Sequence, residues 1–408
     1  MPDVSVSPTL AANEAVLRRR QAGLPVLPLG FGEAGLPVHP ALTAALSAAA
    51  GRGGYGPVAG LPALRAAAAG YWRRRGLDTD PELVVCGPGS KPLLYALLLA
   101  IGGRVALPRP SWVSYAAQAR LTGGPPVLLP TLPGQGGVPD PSLLAGAARS
   151  SGVRAVVVTI PDNPTGTLPH RETVRRLCAV AREHDLLVIS DEIYRDLVHD
   201  PGVAVPSPAE YAPERTIVTT GLSKNLALGG WRLGVARIPG AALRAQVTGI
   251  ASEIWSSPPV PVQHAAAFAF TEPDELTVHI ARSRDLHAAV AGAAAARFTG
   301  AGASLAPPRA AFYLYPDLSP LGAGRTDAEA AALLLDRHGV VVLPGSAFGE
   351  PAGAMRVRVA TSLLYGDSEA MRWTALTSPD PLALPWIAKA LDLLSEALED
   401  LRARLGAT

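Results

Sequence analysis

Three lysines, Lys91, Lys224 and Lys389, supply every side-chain amine of this 408-residue chain, and arginine carries nearly all of its remaining positive charge. Amine chemistry therefore has three candidate positions. Lys224 stands out by its surroundings: Ser223 precedes it, and Gly229-Gly230-Trp231-Arg232-Leu233-Gly234 follows. It comes after an apolar β-type run, and strand ends of that kind face ligands. A lysine that attacks a carbonyl must be partly neutral, which burial beside other cations favours. Arg232 offers a planar fork suited to a phosphate. Taken alone, the two read more simply as a surface lysine and a salt-bridging arginine. Asp191 closes the apolar run 187–190, so it projects from a strand's carboxyl end. It reads either as a helix N-cap or as a carboxylate that keeps a ring nitrogen protonated. Asn163, in Pro161-Asp162-Asn163-Pro164-Thr165-Gly166, is a turn residue or an amide donor to a ring oxygen. Gly87-Pro88-Gly89-Ser90-Lys91 lies between a strand and a helix, where backbone N–H groups approach a phosphate and the helix N-terminus favours an anion.

These groups need a scaffold that brings strand ends together. Short apolar runs at 83–86, 104–107, 155–160, 186–189 and 216–219 alternate with helical stretches such as 92–101 and 172–183. That alternation predicts an α/β fold with a mostly parallel, doubly wound sheet. The division expected is a large domain over 46–285 and a smaller α+β domain built from the N-terminal arm, with its short strand, over 1–45 together with the C-terminal part over 286–408. A long Ala-rich helix over 271–298 connects them, strands follow near 311–315, 340–343 and 355–360, and a last helix covers 385–405. The Gly/Pro-rich stretch 121–141 reads as an exposed turn.

Composition narrows the function further. With 36 basic and 34 acidic residues the formal charge is +2, which gives no reason to expect a nucleic-acid or membrane-surface partner. The two cysteines, Cys86 and Cys178, are too few for a disulfide framework and form no metal-ligand cluster. No apolar run is long enough to span a bilayer, and residues 1–13 lack the pattern of a signal peptide. A cytoplasmic protein without a metal is expected.

In order, Asn163-Pro-Thr-Gly, Asp191-Glu-Ile-Tyr194, Ser223-Lys224 and Gly230-Trp-Arg232-Leu-Gly resemble the fold-type I aminotransferases of class I/II, the aspartate aminotransferase superfamily, from about residue 32 to 362. The resemblance implies pyridoxal phosphate as cofactor, with Lys224 carrying it as a Schiff base and shuttling the proton. Asp191 is then the partner of the pyridinium nitrogen, and Asn163 and Tyr194 bond the ring hydroxyl. Gly89, Ser90 and Lys91 form the phosphate loop together with Ser223, and Arg232 is the phosphate's ion-pair partner. Trp112 stacks on the ring. Tyr55 reaches the phosphate across a dimer interface, and the Ser256-Ser257 loop also completes the partner's site, so a homodimer is implied. Gly32, Asn163 and an arginine bind the substrate. Arg356 and Arg358 compete for the α-carboxylate, since strand alternation sends both to one face; Arg356 fits the family spacing to Ala360-Thr361-Ser362 and is the residue expected. Two departures stand out: Gly221 occupies a position that often holds a phosphate-touching serine, with Thr220 or Ser223 as substitutes, and the stretch 364–384 has no clear counterpart.

The implied reaction moves an amino group between an L-amino acid and a 2-oxo acid by ping-pong kinetics. Ser252 stands where dicarboxylate-specific relatives carry an arginine, so a site not dedicated to aspartate is expected, with Glu253 a candidate for meeting a cationic side chain. Other chemistry on the same scaffold is the alternative: an amino-acid oxidase or hydroxylase, a cyclase of arginine-like amino acids, or a C–S lyase. A regulatory sensor ranks far below, because no basic helix-turn-helix segment precedes Tyr55.

Overall fold

A computed structural model of the chain describes residues 6–322 and 325–406; the first five residues of the expected N-terminal arm lie outside the described residues. Seven strands form the principal sheet: β2 (Val84–Gly87), β3 (Arg104–Arg109), β4 (Val127–Pro130), β5 (Val153–Thr159), β6 (Leu187–Asp191), β7 (Thr216–Gly221) and β8 (Gly234–Arg237). Their order is β2-β8-β7-β6-β5-β3-β4, and β8 alone runs antiparallel to its neighbours. The expected α/β class, with a mostly parallel doubly wound sheet, is what the chain adopts.

Side-chain alternation explains the layers. Val156 and Val158 of β5 face Leu144, Val174 and Leu177 of the helices Pro141–Ser150 and Arg171–Glu183. Ala155 and Val157 face Leu93, Leu97 and Tyr115 on the opposite side. Both faces are covered, so the middle of β5, residues 155–158, is an unbroken apolar run, as in buried parallel strands. The remaining strands form two small sheets. β1 (Leu27–Pro28) pairs parallel with β10 (Val340–Val341), while β12 (Val357–Ala360) lies between β11 (Leu343–Pro344) and β9 (Tyr313–Leu314), antiparallel to both. The helix Asp274–Ala301 presents Leu286, Val290 and Phe298 to Leu391, Leu394 and Leu398 of the final helix, Pro385–Leu405.

Three local readings change. The arm contains a 14-residue helix, Pro8–Gln21, with proline at its start. The stretch read as an exposed turn contributes edge strand β4. The stretch 364–384 folds as a helix, Glu369–Thr377, whose Ala375 and Leu376 are buried while Trp373 meets His279 edge-on. Among the described residues no helix is long and apolar enough to cross a membrane.

Candidate active site

Strand register builds the floor of the site. Thr159 pairs with Asp191 across β5 and β6, and Asp191 pairs with Thr219 across β6 and β7. These three residues therefore stand abreast where the parallel strands end, the place such sheets offer to ligands. Thr219 donates to Asp191 Oδ1 at 3.2 Å, and Tyr115 Oη donates to Asp191 Oδ2 at 2.8 Å while contacting Thr159 Oγ1 at 2.9 Å. Asp191 is buried, and burial pushes its carboxyl up to about 6, against the pull of the Tyr115 and Thr219 hydrogen bonds.

Above this row lies a cavity of about 470 Å³ whose walls include Lys224, Asn163, Tyr194, Arg358, Trp112 and Gly32. Lys224 follows β7, and its Nζ donates to the Gly32 carbonyl at 2.5 Å. Burial lowers its amine to about 8, helped by the positive charge of Arg358. Asn163 Nδ2 lies 3.4 Å from Tyr194 Oη, which also meets Tyr313 Oη at 2.9 Å. Tyr313 explains Gly32: a Cβ at that position would collide with the tyrosine hydroxyl.

The end of the cavity nearest the helix Ser90–Ile101 is an anion cradle. The helix has no side-chain cap and no acidic residue in its first turn, so its leading N–H groups are free to meet an anion. Gly89 has φ +102°, and a Cβ there would strike the Arg232 guanidinium; a Cβ on Gly234 would strike Ser90 N. Both glycines thus let guanidinium and helix N-terminus converge. Ser90 and Ser223 line the same cavity. Lys91 lines it too, with its Nζ 5.1 Å from the Trp112 ring centre and its amine lowered by burial and by Arg232. Thr220 instead turns to the Glu192 carbonyl at 3.5 Å.

Two expected residues lie elsewhere. Arg356 does not line the cavity. Its side chain is 41 % exposed and lies 3.7–3.8 Å from Glu350 and Asp317. Arg358 occupies the cavity wall instead, 1 % exposed, donating to Gly30 O at 2.6 Å and Asn163 Oδ1 at 3.3 Å, with Phe348 and Tyr313 rings about it. The two arginines do share strand parity, but two residues along a strand is about 6.6 Å. That distance leaves Arg356 just before the start of β12, off the cavity wall. Arg358 Nε is buried with no partner among the described residues, a donor left over for an anion. Tyr55 also stands outside the cavity of its own chain, 93 % exposed.

Sequence reasoning missed Tyr115, Thr159, Thr219 and Tyr313, as well as Thr9, Leu10 and Phe31, which close one side of the cavity. Only Tyr115 left a local signal, one helical turn after Trp112.

An amine, a carboxylate and a guanidinium that converge beyond the ends of a doubly wound sheet define the fold-type I class of enzymes acting on amino acids. The family described as aminotransferase class I and II matches residues 25–363, and the chain belongs to it. It is 35 % identical over 361 residues to a probable aspartate/prephenate aminotransferase of Thermus aquaticus, spanning 87 % of this chain and 92 % of the relative. An aspartate aminotransferase of Geobacillus stearothermophilus is likewise 35 % identical, over 88 % of this chain and 92 % of its own length. Among solved structures, aspartate aminotransferase from Thermus thermophilus with maleate superposes at a TM-score of 0.84 with 31 % identity, covering 97 % of this chain and 100 % of that one. The protein is an aminotransferase, and its substrates are amino and 2-oxo acids.

Proposed function

We propose that the chain works with pyridoxal phosphate, held covalently by Lys224, and transaminates L-amino acids other than aspartate alone. The observation that carries this reading is the convergence of Lys224, Asp191 and Arg358 on one cavity from widely separated points of the chain. The donor set fits the cofactor. The cradle of Gly89, Ser90, Lys91, Ser223 and Arg232 suits its phosphate, and Asp191 suits a protonated ring nitrogen. Asn163 and Tyr194 suit its ring oxygen, and Trp112 offers a face for the ring. When bound, the cofactor supplies an electron sink for charge at the substrate α-carbon.

The chain's residues do the rest. Arg358, desolvated and forked, binds the α-carboxylate with Asn163 beside it. That fixes the α-carbon over Lys224. Lys224 Nζ, brought towards neutrality by burial, takes the α-proton as general base. Asp191 stays ionised at neutral pH and holds a proton on its partner nitrogen. The aromatic walls exclude water, which strengthens each of these interactions.

The exposure of Tyr55 supports a homodimer in which it covers the partner's phosphate cradle. We read residues 1–45 and 286–408 as a small domain and 46–285 as the large one, in a cytoplasmic enzyme. On the helix Ala241–Ile254, half-buried Ser252 donates to exposed Glu253 at 3.0 Å, and serine, not arginine, holds that position. This supports a substrate range beyond aspartate, although relatives are named for aspartate and prephenate.

A half-reaction screen tests the reading. The cofactor-loaded protein is mixed with single amino acids, and the visible absorption and the 2-oxo acid released are followed. One equivalent of oxo acid per site, with further turnover only after a second oxo acid is added, is the expected result. Turnover without acceptor, or with dioxygen consumed, would replace it with lyase or oxidase chemistry.

A further inference from the structure

Behind the cavity wall, one carboxylate joins three elements. Asp196 belongs to the short turn Arg195–Leu197, directly after Tyr194. It accepts from Asn225 Nδ2 at 2.8 Å, from Arg75 at 2.8 Å and from Tyr71 Oη at 3.1 and 3.2 Å. Arg75 also bridges to Glu272 at 2.5 Å and lies 3.5 Å from the Tyr71 ring centre. Asn225 is the residue next to Lys224. It is buried, does not line the cavity, and its Oδ1 has no partner. Among the described residues its one side-chain hydrogen bond is therefore that to Asp196. Leu222, Leu226 and Leu228 anchor the loop by apolar burial, which resists displacement without fixing direction. The hydrogen bond supplies the direction that burial lacks.

We propose that Asp196 is a positioning residue for Lys224, acting through Asn225. The proposal rests on the assignment of Lys224 to the chemistry given above. The same carboxylate holds the turn that carries Tyr194. Nucleophile and ring-oxygen donor are thus referenced to one rigid point, itself locked to the helix Pro62–Arg74 by Tyr71 and Arg75. Loss of such a reference misplaces a reacting group by a fraction of an ångström to an ångström, which lowers turnover by roughly 10- to 100-fold.

The decisive variant is Asn225→Ala. It cuts the link to the lysine segment yet leaves Asp196 with Arg75 and Tyr71, so the ionic cluster survives. In the cofactor-loaded enzyme, kcat falls about 10-fold or more with KM nearly unchanged, and the pH midpoint of the visible absorption shifts. Asp196→Ala gives at least the same loss, Asp196→Asn restores part of it, and the double variant N225A/D196A is no worse than Asp196→Ala alone. Parental kcat and an unmoved midpoint in Asn225→Ala, or a change in melting temperature alone, overturns the proposal, as do additive losses in the cycle. Should Asp196→Ala fail to fold, Asn225→Ala decides. Absence of a visible band in the parent protein would instead defeat the cofactor assignment, a distinct outcome.

Discussion

Asp191→Asn should stabilise the ligand-free protein while removing most of its activity. The carboxyl is buried and raised from 3.8 to about 6. At pH 7.5 the folded chain therefore carries an ionised group that burial disfavours, a penalty of roughly 3 kcal/mol at 1.36 kcal/mol per pH unit. Asparagine removes that penalty but gives up one accepted hydrogen bond from Tyr115 or Thr219, about 1 kcal/mol. The net gain is roughly 1–2 kcal/mol. The pH dependence follows from the sign of the shift. The folded pKa lies above the unfolded one, so the folded state binds the extra proton between about 4 and 6. Wild-type stability rises as pH falls through that window, and the advantage of the variant closes. Urea titrations of unloaded protein at pH 7.5 and pH 4.5 measure both. Activity moves the other way, because a neutral amide would not keep the ring nitrogen protonated, as the ionised carboxylate would. Loss of such a preorganised charge costs about 3–4 kcal/mol, or 10²- to 10³-fold in kcat. A variant less stable at pH 7.5, by an amount independent of pH, would show that burial does not penalise the Asp191 carboxylate, and a kcat within tenfold of wild type would show that its charge does not serve the reaction.

The arginines separate cleanly: Arg358→Ala should raise KM for amino acids at least 100-fold by removing a desolvated carboxylate fork, whereas Arg356→Ala, which breaks contacts of 3.7–3.8 Å at an exposed site, should stay within about threefold. Steady-state kinetics on one substrate compares them. Gly89→Ala should weaken pyridoxal phosphate at least 10-fold in an equilibrium titration, since the new methyl group collides with Arg232. Amine-selective labelling of unloaded protein across pH, read by peptide mapping, should show Lys224 becoming reactive near pH 8; labelling only near pH 10.5 would contradict its burial.

Much of the fold could be read from the chain because its strands are short apolar runs between helices with clear periodicity. The runs at 155–160 and 216–219 mark β5 and β7 within two residues, and 385–405 marks the last helix. The N-terminal helix escaped because its buried Thr9, Ala12 and Val16 form no distinct apolar stripe. Strand β4 escaped because glycines and prolines surround four residues. In the site, groups carried by local motifs were legible. Thr159 and Thr219 were not, since only strand register aligns them with Asp191. Arg358 rather than the expected Arg356 stands on the cavity wall for a related reason: parity gives the face of a strand, and spacing to a downstream motif does not say how far along the strand the cavity begins.

The proposed function requires covalent attachment of pyridoxal phosphate to Lys224, one of three lysines. Borohydride reduction of the loaded protein, followed by trypsin digestion and mass mapping, tests it directly. A pyridoxyl-phosphate adduct on the peptide 216–232, uncleaved at Lys224, is expected. An adduct confined to the peptides that contain Lys91 or Lys389, or none at all, would contradict it.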